Sequence, residues 1–195
     1  MFVAHRPSSR EIARFIDESR ALPLSYGPVG VAATGAAGFR LDEQTVTIGA
    51  GAGAYERAAA ALAAWRHFEL GWVDVYPKAA PTTDGTIVAV AIRHFGFWSL
   101  NGCRVVYQTG EGRPVGGAMP KRFGFAYGTL PNHAESGEEV FEVRFEPETG
   151  AVTYRIRAAS RPRALLARAG FPLTRLLQAR FRRDSALALQ RATGR

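Results

Sequence analysis

The chain predicts an α+β fold, an antiparallel sheet of six or seven strands curved around one long C-terminal helix. Two observations carry this. From Trp72 to Ala159 the sequence is a run of short β-branched and aromatic segments separated by turn signals, without a sustained helical period. After it comes one arginine-rich stretch reaching Ala192, with apolar residues at helical spacing. Strands joined by short turns pair antiparallel, and the helix that follows them is the natural cover for the concave face. The chain reads as a single domain over residues 1–195, with 1–25 a short helical N-terminal extension.

The elements follow in order. Ser8 and Glu11 make a capping-box pattern ahead of Ile12, Phe15 and Ile16, so a short helix starts there and ends before Pro23. Leu24–Gly38 is rich in Gly and Pro and reads as irregular. Phe39–Ile48 reads as strand because Thr45, Val46, Thr47 and Ile48 are all β-branched. The Gly-Ala run Gly49–Ala54 leads into an Ala-rich helix, Tyr55–Phe68, with Leu62, Trp65 and Phe68 on one side. Trp72–Tyr76 is a strand stopped by Pro77, Asp84-Gly85 marks a turn, and Thr86–Phe95 is an apolar strand.

Alternation assigns faces in the remaining strands. Gly102–Thr109 places Cys103, Val105 and Tyr107 on one face, with Arg104, Val106 and Gln108 on the other. In Phe123–Thr129 the aromatic Phe123, Phe125 and Tyr127 share one face; Gly124, Ala126 and Gly128 share the other, where a backbone or a ligand approaches closely. Glu139, Phe141, Val143 and Phe145 point inward against Glu138, Val140, Glu142 and Arg144. The turn Pro147–Gly150 returns the chain through Val152, Tyr154, Ile156 and Ala158. Ser160–Pro162 opens the closing helical region, Gly170 and Pro172 interrupt it, and the main helix is Pro172–Arg191 with Leu173, Leu177 and Phe181 as its buried stripe.

Composition bounds the function. A chain of 195 residues, 47% hydrophobic and 22% charged, is ordinary globular material. A lone cysteine, Cys103, excludes an internal disulfide framework and suits a reducing cytosol. No segment approaches the roughly 20 apolar residues of a membrane span, and the first residues lack the apolar core of a signal peptide. The expectation is a soluble cytoplasmic protein. Charge is segregated: residues 1–154 carry a balance of −2, residues 155–195 one of +10 with Asp184 their single acid. Arg168, Arg175 and Arg182 recur every seven residues along the closing helix. They form either a solvated face or a surface for an anionic partner such as nucleic acid.

Three constellations bear on chemistry. Gly49, Gly51 and Ala54 between a strand and a helix, with Asp74 on the next strand, follow the spacing of a dinucleotide fingerprint. A doubly wound fold needs further strand–helix alternation, and after Tyr76 the chain shows only strands and turns until its last helix. The run therefore reads as a flexible strand-to-helix corner. His133, Glu135, Glu138 and Glu139 gather after the aromatic strand, where one His among carboxylates suits acid–base work. With no second His nearby, neither a metal nor another cofactor is expected, and His133 and Glu139 are the catalytic candidates. Glu139 lies in an inward register where an unpaired carboxylate is costly, and Arg104 is its candidate partner. The expected ligand contacts are Trp98, Arg104, Tyr107, Phe125, Tyr127, Glu139 and Tyr154, between strand Phe123–Thr129 and the closing helix. Either face of that strand fits the pattern: the Gly/Ala face leaves room opposite the helix, whereas the aromatic face fills it.

Several strings together resemble a known family. They are Gly49-x-Gly51 with Leu62-x-x-Trp65, Asn101-x-Cys-Arg-Val-Val-Tyr107, Phe123-Gly-Phe-Ala-Tyr-Gly-Thr-Leu130, His133-x-Glu-x-Gly-Glu-Glu139 and Ala159-Ser-Arg-Pro162. They are similar to a bacterial and plant family catalogued as domain of unknown function nineteen-ninety, over roughly Tyr26 to Ala192. That family resembles the START-like, helix-grip superfamily, whose order is strand, two helices, six strands and a long C-terminal helix. The resemblance implies an internal cavity for a hydrophobic small molecule and transfers no catalytic residue. The superfamily includes carriers, hormone receptors and cyclases, so membership alone does not separate enzyme from binder. The leading expectation is binding of a hydrophobic or aromatic small molecule between sheet and helix. The alternatives are a cyclase- or hydrolase-like enzyme using His133 and Glu139 at the pocket mouth, or an anion-binding role for the arginine helix.

Overall fold

In the computed structural model, which describes residues 1–110, 121–162 and 171–194, eight strands form one antiparallel sheet. The elements are β1 (Phe2–Val3), α1 (Ser9–Ser19), α2 (Val31–Thr34), β2 (Arg40–Ala50), α3 (Ala52–Ala63), a single 3-10 turn (Arg66–Phe68), β3 (Val73–Tyr76), β4 (Ile87–Arg93), β5 (Trp98–Thr109), β6 (Lys121–Thr129), β7 (Glu135–Phe145), β8 (Ala151–Pro162) and α4 (Phe171–Ala192). The order across the sheet is β2-β8-β7-β6-β5-β4-β3, with β1 adding to β5. Strands β3 to β8 are a meander, and β2 pairs with the last of them. Because β2 and β3 lie on opposite edges, the Gly49–Asp74 segment has none of the parallel pairing that a dinucleotide fold requires.

Local chemistry explains the element ends. Ser8 and Glu11 close the capping box of α1, Ser8 N donating to Glu11 Oε2 at 2.8 Å. Gly49 is a packing glycine: a Cβ there would sit 3.1 Å from the Ala54 Cβ and 3.4 Å from Thr193. Thr193 donates to Ile48 O at 2.6 Å, and Arg57 Nη2 donates to Thr193 O at 2.8 Å, which ties the chain end to the β2–α3 corner. The single helix expected over Tyr55–Phe68 is two elements, because Trp65 adopts φ 57° and redirects the chain into the 3-10 turn. The segment Ser160–Pro162, expected to open the helical region, instead completes β8.

The sheet is covered on both faces. On the concave side Val88, Val90, Cys103, Val105, Phe125, Phe141, Val143, Tyr154 and Ile156 pack with α3, the 3-10 turn and α4. Leu177 and Phe181 of α4 lie against this core as expected; the Leu173 side chain and all of Arg168 lie outside the described residues. On the convex side α1 sets Ile12, Phe15 and Ile16 against Ala89, Ala91 and Leu100. Tyr26, Val31 and Ala32 cover Ala126, Val140 and Ala159. The N-terminal residues thus pack onto the sheet over its convex face.

The small-residue face of β6 is what admits this cover. A Cβ at Gly128 would stand 2.4 Å from the Tyr26 hydroxyl. Beneath Tyr26 lies Glu138, only 2% exposed, which accepts from Tyr26 Oη at 2.8 Å, Tyr107 Oη at 2.7 Å, Gly30 N at 2.8 Å and Ala32 N at 3.2 Å. Glu138→Ala leaves those donors without an acceptor and is expected to cost about 3 kcal/mol in urea unfolding. It also exposes residues 24–39 to limited proteolysis. Tyr107→Phe removes one donor and costs about 1 kcal/mol. Wild-type stability and protease resistance in Glu138→Ala would show that the segment is held by its apolar contacts alone.

Candidate functional site

Consecutive residues of a strand point to opposite faces, so the Glu138–Glu139 pair is split by the sheet. Glu139 stands on the concave side, in register with Tyr127 on β6 and Ala158 on β8. Tyr127 Oη donates to Glu139 Oε2 at 2.8 Å. Burial pushes the Glu139 carboxyl up to about 7; the Tyr127 hydrogen bond and Arg182 pull it down, while Glu135 and Asp42 add to the rise. Burial, then the neighbouring Glu139 charge, raises the Tyr127 phenol well above its ordinary range.

Beside this pair a polar chain links α4 to two strands. Arg175 grips Asp42 of β2 through both guanidinium nitrogens, one contact measuring 2.8 Å. Arg175 Nη1 also donates to Gln178 Oε1 at 3.0 Å, and Gln178 Nε2 donates to Glu135 Oε1 of β7 at 2.9 Å. The Arg175 hydrogen bond holds Asp42 below its ordinary value, whereas burial raises Glu135. Arg175, one of the expected basic stripe, is therefore committed to an intramolecular ion pair. One end of the helix–sheet seam carries Asp42, Glu135 and Glu139, balanced by Arg175 and Arg182.

Deeper along the seam the wall is aromatic. Phe141 lies 5.3 Å from Tyr127, 5.6 Å from both Phe68 and Phe125, and 6.4 Å from Phe181 of α4. Tyr154 shares a 2.9 Å hydrogen bond with Ser185 of α4. Trp72 Nε1 donates to Asp184 at 3.0 Å, and Arg180 stacks 4.4 Å over the same indole.

The structure brings together part of the expected ligand set: Phe125, Tyr127, Glu139 and Tyr154 share the concave side. Three other residues do not join them. β5 carries an extra residue at Val106, so that Val105 opposes Tyr127 but Tyr107 opposes Ala126. This bulge turns Tyr107 to the convex face, where it meets Glu138. Arg104 also faces that way and donates to Leu22 O at 2.6 Å and Arg20 O at 3.2 Å, so it is not the partner of Glu139. Trp98 packs with α1, with Arg6 5.8 Å over its ring. The aromatic face of β6 is the inward one, contrary to the arrangement in which Gly124, Ala126 and Gly128 leave space opposite the helix.

His133 and Glu139 are not joined by any hydrogen bond or ion pair among the described residues. His133 Nδ1 accepts from the Glu135 N–H at 2.9 Å, and burial lowers its pKa to about 4. Cys103 is fully buried, and burial raises its thiol pKa. Among the described residues, no three His, Cys, Asp or Glu side chains are grouped to hold a metal ion, and no helix is long and apolar enough to cross a membrane. Sequence reasoning missed His67, which is completely buried beside Trp65 and Phe68. Its place between two aromatics in the sequence was the available signal.

These shifts have opposite signs with pH. Glu139 is raised from 4.5 to about 7 in the fold, so its contribution is full below about pH 4.5 and is lost as pH rises through 7. Glu139→Gln should therefore gain up to about 3 kcal/mol over wild type between pH 5 and pH 8 in urea unfolding. A pH-independent difference would refute the shift. His67, at about 3, and His133, at about 4, are lowered from 6.5. Their contribution is present above pH 6.5 and lost as pH falls, so acid should destabilise the wild type progressively below pH 6.5.

Comparison with known proteins agrees with this geometry. A UPF0548 protein of Dictyostelium discoideum is 32% identical over 211 aligned residues, covering 100% of this chain and 96% of that one. A UPF0548 protein of Deinococcus radiodurans is 33% identical over 208, covering 100% of both. In fold, a hypothetical protein from Helicobacter pylori superposes at a TM-score of 0.50 with 12% identity, over 89% of this chain and 98% of its own. The curved sheet gripping α4 is the helix-grip arrangement. With its model matched over residues 25–188, the chain belongs to the family described as Domain of unknown function (DUF1990).

Proposed function

We propose that the protein binds a hydrophobic, ring-bearing small molecule between the concave face of the sheet and α4. Phe125, Tyr127, Glu139 and Tyr154 form the sheet side of that site. The observation that carries this reading is Glu139, whose buried carboxyl has one hydrogen-bond partner among the described residues, set at the edge of an aromatic wall. Such a placement costs stability at neutral pH, and groups of this kind concentrate where a ligand is handled. Aromatic faces supply the ring contacts, and the Glu139–Tyr127 pair supplies the orienting polar group.

The same pair supports a second reading, a cyclase- or hydrolase-like acid–base activity. A carboxyl that titrates near 7 is matched to proton transfer at neutral pH, and it would act with Tyr127 rather than with His133. An anionic partner on the arginine-rich helix is less well supported, because Arg175 is held by Asp42.

Ala158 lies between Asp42 and Glu139 across β2, β8 and β7, on the same face. Ala158→Phe should crowd the proposed site beside Glu139 and weaken binding of the neutral probe N-phenyl-1-naphthylamine by more than about tenfold, with circular dichroism unchanged. Native mass spectrometry of protein from its own host should show a retained small molecule. Equal probe binding by wild type and variant, together with no retained mass, would sink the binding reading. Turnover lost in Glu139→Gln with probe binding kept would select the enzyme.

A further inference from the structure

Of the eight large apolar side chains exposed among the described residues, three are phenylalanines gathered at the β4–β5 turn: Phe95 is 85% exposed, Phe2 66% and Phe97 42%. Register brings them there. β1 pairs with β5 so that Phe2 stands opposite Ser99, which places its ring 5.8 Å from Phe97 and 6.5 Å from His94. His94 stacks on Phe97 at 4.6 Å and shares a 2.9 Å hydrogen bond with Ser99. Burial lowers the His94 pKa, which favours an uncharged ring. The turn also bonds its own backbone: His94 N donates to Phe97 O at 2.8 Å and Gly96 N donates to His94 O at 2.9 Å, with Gly96 at φ 124°. Amides satisfied within the turn lose little when the turn leaves water.

Positive charge stands at the base of this aromatic tip. Arg93 ends β4 in register with Trp98, and Arg6 lies 5.8 Å over the same indole. Arg93 is exposed, and no carboxylate pairs with it among the described residues. The acids on adjoining elements are already engaged, Asp74 by Lys78 and Arg6, and Glu11 by His5 and the Ser8 cap.

Size separates the possible occupants. At about 200 Å² per phenylalanine, the three rings offer roughly 400 Å² of exposed surface. Each partner in a stable protein interface contributes about 800 Å². A small projecting tip lacks that area, whereas a fluid lipid interface conforms to whatever enters it. Rings at the acyl boundary with guanidiniums at the headgroups is the division of chemistry that an anionic bilayer accommodates.

We propose that the β4–β5 turn docks the protein on an anionic membrane surface, with Phe2, Phe95 and Phe97 entering the interface and Arg93 and Arg6 meeting lipid phosphates. The inference does not rest on the binding reading.

Sedimentation of the full chain with vesicles tests it. Wild type should bind phosphatidylcholine vesicles containing about a third phosphatidylserine, and bind pure phosphatidylcholine more weakly. Phe95→Ser should weaken binding to the mixed vesicles by about tenfold, with the unfolding midpoint unchanged because this ring faces solvent. Arg93→Gln should cost about fivefold on the mixed vesicles and nothing on phosphatidylcholine alone. Phe95→Trp should bind as wild type does, and its added emission should be quenched by brominated acyl chains. No vesicle binding by wild type, equal binding to both compositions, binding that survives Phe95→Ser, or added emission that brominated chains leave unquenched would overturn the proposal. Self-association in vesicle-free solution that Phe95→Ser abolishes would also overturn it, by assigning the tip to a second copy of the chain.

Discussion

The architecture turns on Glu138. A carboxylate taken out of water is tolerated only when its oxygens are met by donors, and here two phenols and two backbone N–H groups converge on it. Those donors come from β5 and from the segment around α2. The same contact therefore fixes which face of β7 is convex and where the N-terminal residues run. Because alternation is strict, placing Glu138 outward places Glu139 inward. The candidate site is in this sense a consequence of the clamp on the opposite face.

β6 serves both faces with one alternating pattern. Its aromatics build the concave wall, while Gly124, Ala126 and Gly128 let neighbouring groups approach the convex side. The bulge at Val106 completes the arrangement, since without it Tyr107 would stand opposite Phe125 on the concave face. A single extra residue thus gives Glu138 its second phenol donor. Glu138 consequently has its full set of donors, and Glu139 has Tyr127.

The two carboxyls of the pair are met differently. Glu138 on the convex side accepts from four donors, although Thr109 Oγ1 and Asn132 Oδ1 of that side have no partner among the described residues. The concave side holds a carboxyl raised toward neutrality and, among the described residues, an imidazole without a partner at either nitrogen. Natural folds break local rules of this kind at sites of function. Arg175 and Asp42 act differently, tying α4 to the edge strand β2.

The sequence alone determined the strand succession, the capped first helix, the long closing helix and the inward register of Phe141, Val143 and Glu139. Each of these is written in local periodicity, which depends only on the residue's own backbone geometry. It also carried the family strings. Tertiary structure decided the rest. The inward face of β6 depended on what packs against Gly128, which is Tyr26, about a hundred residues earlier. The fate of Tyr107 depended on a bulge that leaves no mark in the alternation of side chains, and that of Arg104 on the carbonyls of Arg20 and Leu22. The isolation of His133, the capture of Arg175 by Asp42 and the burial of His67 are relations between distant segments. Periodicity reports the direction of a side chain, but only the assembled chain supplies, or withholds, the partner it finds there.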